Sequence, residues 1–464
     1  MSGTNTYNNA SRRKFLWGAL SLGALGGLTF ALKGKIPFLK PANVSIPGTI
    51  RTPSFAYGHL LKGLIDKQPT REIATEYAIV GGGIAGLSAG YWLKTNGIRD
   101  YTIFELEPEA GGNSAFGQNE VSAYPLGAHY LPLPNLHNKE LLNFLVAEDI
   151  ITGFDEQGLP LYNELFLCFD PEERLYIHHH WQEGLVPQYG LPEKDLKEIK
   201  RFQDEMEVFK EARGEDGKFA FDIPLDIASS DAKYRVLDNQ IFSHYLKEQG
   251  YTSSYLLWYL NYCIKDDYGA TIDQISAWAG IHYFAARKAK AANAGTHDVL
   301  TWPEGNGYLM KRLKQYSEGS IKTNYLVYSA EMVDGKVVLY AIETASREVV
   351  KITAAKCIMA TPQFVNSRIG KGRALELEAF QYAPWFVANI TVNNISEKNG
   401  TPLCWDNVIY DSPSVGFVHA GHQNIGLDQA RKVFTYYYPL TADDPRVERV
   451  RVFKADYEFF KGVI

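Results

Sequence analysis

The sequence has 464 residues, 45% of them apolar and 22% charged, with a net charge of −6. A chain of that length and balance can bury a large core and holds two domains or one large discontinuous domain. The acidic balance, with no long basic tract, gives nucleic-acid binding no electrostatic support.

The chain opens with a polar stretch, Met1 to Ala10. Ser11-Arg12-Arg13-Lys14-Phe15-Leu16 follows, then a Gly- and Leu-rich run from Trp17 to Leu32. A charged region before a modest apolar run is an export address rather than part of a fold. The paired arginines followed by Phe-Leu resemble the twin-arginine signal. Gly18, Gly23, Gly26 and Gly27 keep the run weakly hydrophobic, as such signals require. This resemblance assigns residues 1–33 to a signal, implies the twin-arginine translocase as a partner, and places the protein in the periplasm. The alternative is a retained anchor in the inner membrane through residues 15–32, about long enough to span a bilayer. Residues 34–73 contain Pro37, Pro41, Pro47 and Pro53 and read as a linker or extended arm.

Glu76-Tyr77-Ala78-Ile79-Val80 is a short apolar strand running into Gly81-Gly82-Gly83-Ile84-Ala85-Gly86. Leu87 to Thr95 is a helix, with Ser88, Ala89 and Gly90 small where it presses on a sheet. Tyr101-Thr102-Ile103-Phe104 is a second strand ending at Glu105. Gly81 permits the tight turn, Gly83 lets backbone approach a pyrophosphate, and Gly86 allows helix and strand to pack closely. Ile84 and Ala85 lie in the glycine turn before the helix, whose N-terminus offers unpaired N–H groups to phosphate. Glu105 stands 19 residues after Gly86, where a carboxylate accepts hydrogen bonds from a ribose. Strand, glycines, helix, strand and acid in register make a dinucleotide site.

The stretch that follows separates FAD from NAD. Glu105-Leu106-Glu107-Pro108-Glu109-Ala110-Gly111-Gly112-Asn113 resembles the "E-x5-G-G-[R/N]" segment of the flavin amine oxidase superfamily. That superfamily includes amine oxidases, protoporphyrinogen oxidase and phytoene desaturase-like enzymes. The resemblance implies that Gly111 and Gly112 bring a second loop against the FAD pyrophosphate. Asn113 stands where many members have arginine. Leu126-Gly127-Ala128-His129 resembles the segment that lies near the flavin ring, without its acid. Trp302-Pro303-Glu304-Gly305-Asn306-Gly307 resembles "P-x-G-G", with Asn306 for the second glycine. Cys357 to Pro362 resembles the strand that returns to the FAD domain, and Val327 by analogy belongs beside the adenine. The similarity covers residues 74 to about 365 and fades after that.

Other features carry less. Four cysteines, Cys168, Cys263, Cys357 and Cys404, include no CxxC pair and are expected to be reduced and mostly buried. Leu196, Ile199, Phe202, Met206 and Phe209 mark one face of an amphipathic helix. Tyr255, Trp258, Tyr259 and Tyr262 share a helix face and either pack a core or line a cavity. Tyr436-Tyr437-Tyr438, on a strand, poses the same choice. Residues 165–181 read as a hairpin turned at Asp170 to Glu173, so that His178 and His180 share a strand face. No acid or cysteine nearby completes a metal site, and no metal is expected. Residues 321–352 read as strands around a turn at Asp334-Gly335.

The expected fold is α/β: a Rossmann-like FAD-binding domain of the glutathione-reductase-like flavoprotein type, with an inserted mixed α/β substrate domain. The FAD domain takes residues 74–136 and 296–365, and the substrate domain takes 137–295 and 366–464. The C-terminal FAD segment of the family has no counterpart after residue 400, so the chain is expected to be truncated relative to it. The expected activity is FAD-dependent hydride removal from a C–N bond of an amine, the small-molecule substrate. One alternative is desaturase-like oxidation of a polyene or porphyrinogen. Another is a binding protein without redox activity, as the Rab GDP-dissociation inhibitors are. His129 is a weak candidate for the catalytic site.

Overall fold

The first strand is longer than its apolar stretch suggested: β1 runs from Arg71 to Val80. It leads through the glycines into α1 (Ile84–Thr95) and on to β2 (Tyr101–Phe104). The computed structural model describes residues 46–63, 65, 67–371, 376–395, 400–424 and 430–464. Arg12, Arg13 and the apolar run 15–32 lie outside the described residues. Thr52–Ile464 form one compact unit.

That unit holds two six-stranded sheets. The first has the order 321–322, β2, β1, 349–359, 336–343, 325–333. Its first four strands are parallel, and the last three form an antiparallel meander. Asp334 and Gly335, with φ of 50° and 77°, make the expected turn of the meander. Ala78, Val80, Phe104 and Ile352 are buried in one cluster with Tyr325, Leu339 and Ile369. The strands read as near-continuous apolar runs because both faces are covered.

The second sheet has the order 385–393, 431–439, 417–419, 406–409, 173–177, 180–183. Strands far apart in sequence thus join in one layer, with 406–409 parallel to 173–177. Helix α2 (Ser254–Tyr268) lies over this sheet. Its Tyr262 and Cys263 pack with Leu175, Val408, Val418 and Tyr437. The long helix Glu193–Glu211 buries Ile199, Phe202 and Met206 against Phe242, Leu260 and Ile281. Its apolar positions recur at 3 and 4 residues, so they form one stripe on a 3.6-residue period.

Two local readings change. The hairpin expected to turn at Asp170–Glu173 turns instead at His178-His179, both at positive φ (50° and 63°), between strands 173–177 and 180–183. A two-residue connection with both φ positive matches the twist of the paired strands, which sequence alternation alone does not reveal. His178 is therefore a turn residue and shares no strand face with His180. The arm before β1 is also not extended: Phe55–Gly58 and His59–Lys62 are helical turns. Among the described residues no helix is long and apolar enough to cross a membrane. No group of three or more His, Cys, Asp or Glu among them is arranged to hold a metal. Cys168, Cys263 and Cys404 are buried and Cys357 is half-buried, all as free thiols.

Candidate functional site

The glycine turn at the end of β1 is dictated by backbone contact. Gly81 takes φ of 103°, and its N–H donates to Phe104 O at 2.9 Å. A Cβ on Gly86 would stand 1.9 Å from Gly81 O, so no side chain fits where α1 meets the turn. Gly83 is the N-cap residue of α1, and no side chain caps that end. Ile84 and Ala85, the first helical residues, are exposed. An uncapped, open helix N-terminus presents N–H groups and a partial positive charge to an anion.

The second glycine loop lies against the first. Gly111 N–H donates to Gly82 O at 2.9 Å. A Cβ on Gly112 would stand 3.1 Å from Gly83 Cα, so the two loops meet through bare backbone. Gly111 and Gly112 both take positive φ, at 153° and 55°. Gly112 and Asn113 are exposed beside the helix end. The pair forms a cradle floored by glycines and lined by amide groups.

Glu105 closes the cradle. Its Oε2 accepts from Gly82 N–H at 2.6 Å and its Oε1 from Glu107 N–H at 2.8 Å. Burial raises its carboxyl pKa, and the backbone N–H groups of Glu107 and Gly82 pull it partly back. The carboxylate therefore shapes the glycine loop. Leu106 follows, half-buried. Val327 is buried with Val80, Phe104 and Tyr325, near the end of β2, where Tyr325 N–H donates to Glu105 O at 2.8 Å. These contacts bring Gly81, Gly83, Ile84, Ala85, Gly86, Glu105, Leu106, Gly111, Gly112 and Asn113 together at one end of the parallel strands. Val327 lies at their edge.

Residues 125–130 form a wall between this cradle and the second sheet. A Cβ on Gly127 would meet Asn113 O at 2.4 Å. Gly305, at φ of 58°, presses on His129 Cα, 2.7 Å from where its Cβ would stand. Asn306 Nδ2 donates to Tyr130 O at 2.9 Å, while its buried Oδ1 has no partner. Tyr437 Oη donates to Gly127 O at 3.0 Å from the other side.

Beyond that wall lies a cluster of aromatic rings and carboxyls, here called the chamber, that no local motif announced. The His129 ring packs against Tyr437 (4.5 Å between centroids), Tyr130 (4.9 Å) and Trp405 (5.6 Å). Burial pushes its pKa down to about 3. Tyr130 contacts Arg287, whose guanidinium lies 4.7 Å above the Tyr283 ring and 3.2 Å from Asp267 Oδ1. Asp266 is pushed up to about 7 by burial, then by Asp267 and Glu173. Asp406 is pushed well up by burial, then by Glu173 and Asp266. Its Oδ2 accepts from Tyr262 Oη at 3.5 Å. Glu173 is register partner to Asp406 on the adjacent strand. Glu173, Asp266 and Asp406 are half-buried and Asp267 is exposed. A separate surface cleft of about 450 Å3, lined by Phe116, Lys311 and Asn424, contains neither the glycine loops nor these acids.

The chamber resolves two open readings. Tyr262 is buried in the core shared with the sheet, and Asp266 continues its helix face one turn on. An acid prolonging an aromatic stripe was the available signal for it. Tyr437 points toward His129, while Tyr436 and Tyr438 pack with Phe386 on the opposite face.

Residues 79–145 match the family described as an NAD(P)-binding Rossmann-like domain. No curated protein matches the chain. Among solved structures, a putrescine oxidase double mutant is similar at 15% identity and a TM-score of 0.60, with 84% of this chain and 80% of that chain covered. Cyclohexylamine oxidase from Brevibacterium oxydans is similar at 11% identity and 0.57, covering 84% and 79%. A fatty acid isomerase from P. acnes that produces CLA is similar at 17% identity and 0.53, covering 83% of each chain. The chain has the α/β fold of these proteins, with a Rossmann-like dinucleotide domain.

Proposed function

We propose that this protein is an FAD-dependent oxidoreductase that removes a hydride from the carbon beside the nitrogen of a cationic amine. One observation carries the reading: the segment 127–130 is the common wall of the paired-glycine cradle and of the acidic, aromatic chamber. Two of the similar structures, by their names, are oxidases of amines. The cradle fits FAD. The open N-terminus of α1 and the bare backbone at Gly83 and Gly112 take the diphosphate, Glu105 takes the ribose, and Val327 borders the adenine. When bound, the flavin supplies the hydride-accepting chemistry.

The chain's own residues do the rest. Asp266, Asp267 and Glu173 face the Arg287 cation, and Asp406 stands beside Glu173 and Asp266. Their mutual repulsion is relieved by a ligand ammonium. Tyr130, Trp405 and Tyr437 wall the site with apolar surface and exclude water. The Asp266 carboxyl, near neutrality, accepts the proton the ammonium must lose before its α-carbon gives up hydride. The product is an iminium that water hydrolyses. His129, held far below its ordinary pKa, takes up no proton at neutral pH and serves as a neutral wall.

The test is a spectrum. Purified protein is expected to be yellow, to release free FAD in acid, and to bleach anaerobically when a primary amine or diamine is added. Bleaching by an unsaturated fatty acid or porphyrinogen but by no amine would replace this reading with the desaturase-like one. Glu105→Ala is expected to weaken FAD binding by about 1–3 kcal/mol, the cost of a lost charge-assisted hydrogen bond. Unchanged affinity in a titration would remove the ribose role.

The same reading extends to export. A protein that takes up its flavin in the cytoplasm suits a route for folded chains, and Arg12-Arg13 with Phe15-Leu16 supports that route. Changing both arginines to lysine is expected to leave the protein in the cytoplasm, as fractionation would show.

A further inference from the structure

The helix Pro445–Lys454, here α3, takes no part in the cradle or the chamber. It seats on the protein by one narrow face. Glu448 is buried, and Arg449 Nη2 donates to Tyr382 O. The other face is open, and its composition is unusual. Val447, Val450 and Phe453 are 55%, 54% and 59% exposed. At 100° per residue they alternate around the exposed arc with Arg446, Arg451 and Lys454. That arc contains three apolar side chains, three basic ones and no acid. Arg451 reaches back to Glu448 at 3.5 Å and lies over Phe459. Its charge still lies on the exposed side, with half of the side chain open.

The arm before β1 extends this surface. Phe55 packs edge-on against Phe453 at 5.4 Å, and His59 lies 5.8 Å from the same ring. Phe55 and Leu60 remain 45% and 42% exposed, and Lys62 follows them. Ser54 fixes the arm by donating to both oxygens of Glu107, at 2.7 and 2.8 Å. Two segments almost 400 residues apart in sequence therefore build one apolar and basic patch. Exposed apolar side chains on a monomer normally stand singly, and a contiguous group marks an interaction site.

We infer that this patch contacts a membrane, docking α3 and the arm in the headgroup layer of an anionic lipid surface. Alternating bulky apolar and basic residues on one exposed face is the composition that inserts shallowly between headgroups and pairs with their charge. An acidic protein partner would satisfy the bases, but nothing would then call for three apolar side chains in the same arc. The inference stands whether or not the chamber takes an amine.

The test uses the full chain with Val450→Cys carrying an environment-sensitive fluorophore. The parent chain treated alongside corrects for the native thiols. Brominated phosphatidylglycerol–phosphatidylcholine vesicles are expected to quench the label. Quenching is expected to be much weaker with purely zwitterionic brominated vesicles, and to be lost when Arg446→Glu and Lys454→Glu are added. The run 15–32 remains in every sample, so loss in the double variant reports the helix face and not that run. A label equally open to aqueous iodide with and without vesicles overturns the inference. So does a label already shielded without lipid in proportion to protein concentration, which assigns the face to a second copy. Shielding by an added acidic protein but by no vesicle overturns it in favour of that partner.

Discussion

The cradle and the chamber solve opposite problems. The cradle at Gly81–Gly86 and Gly111–Gly112 is made of backbone. Side chains are excluded there by contacts as short as 1.9 Å, and the diphosphate proposed for it would be held by amide groups and a helix end. The chamber is made of side chains drawn from a strand pair, a long helix and a turn. It concentrates carboxyls where burial raises their pKa values. One region is rigid and nearly free of basic side chains. The other brings Asp266, Asp406 and Glu173 close enough to repel one another. The lesson is that a dinucleotide site is specified by what is absent from each residue, and a substrate site by what is present and poorly solvated.

Changes in the two regions should therefore behave differently, and the largest effect belongs to the cradle. Gly86→Ala puts a methyl group into Gly81 O, where both atoms belong to packed backbone. We expect a loss of about 3 kcal/mol or more of stability, or no folded protein, by thermal unfolding of the cofactor-free chain. A loss under about 1 kcal/mol would show that α1 can slide, and would weaken the contrast drawn here.

The chamber should respond with the opposite sign. Asp266 has its pKa raised in the folded protein from 3.8 to about 7. Between those values the native state holds a proton that the unfolded state has lost. The stability this group contributes is present below about pH 4 and is lost as pH rises through 7. Asp266→Asn is expected to be more stable than the parent at pH 8, by about 1–4 kcal/mol, and indistinguishable from it near pH 4. The same variant should bind amine less tightly, the trade-off expected where repulsion serves a ligand. A variant less stable than the parent at pH 8 would mean that Asp266 is satisfied in place and stores nothing.

The smallest effect sharpens the contrast. The segment that carries Gly111 and Gly112 also carries Glu105, Glu107 and Glu109, and no base stands between Glu105 and Asn113. Asn113 is exposed beside Gly112, so a longer side chain has room. Asn113→Arg is expected to tighten FAD binding by about 1–2 kcal/mol, with the gain shrinking at high salt. No gain in a titration at low salt would indicate that backbone groups already saturate the diphosphate.

How much of this was legible in advance follows from distance along the chain. The strand–glycine–helix–strand unit spans residues 71–105, and each of its constraints acts between near neighbours. Gly81, Gly86 and Glu105 could be assigned from residue type and spacing because a tight turn and a close packing leave few alternatives. The second loop at Gly111–Gly112 was legible only through its resemblance to a paired-glycine segment of the flavin amine oxidase superfamily. The turn at His178-His179 was misplaced because three histidines carry no turn chemistry of their own, and the paired strands alone determine where the chain reverses.

The sequence by itself determined the dinucleotide unit, the meander turn at Asp334-Gly335 and the buried face of the helix at 193–211. These rest on local rules: positive φ, periodicity and close approach. Only the tertiary structure decided that Glu173 and Asp406 stand side by side, that Asp266 faces them from α2, and that Arg287 sits among them. Each of these residues looks like an ordinary surface charge in its own stretch of sequence. Their meaning comes from burial, and burial is set by which strands pair and which helix covers them.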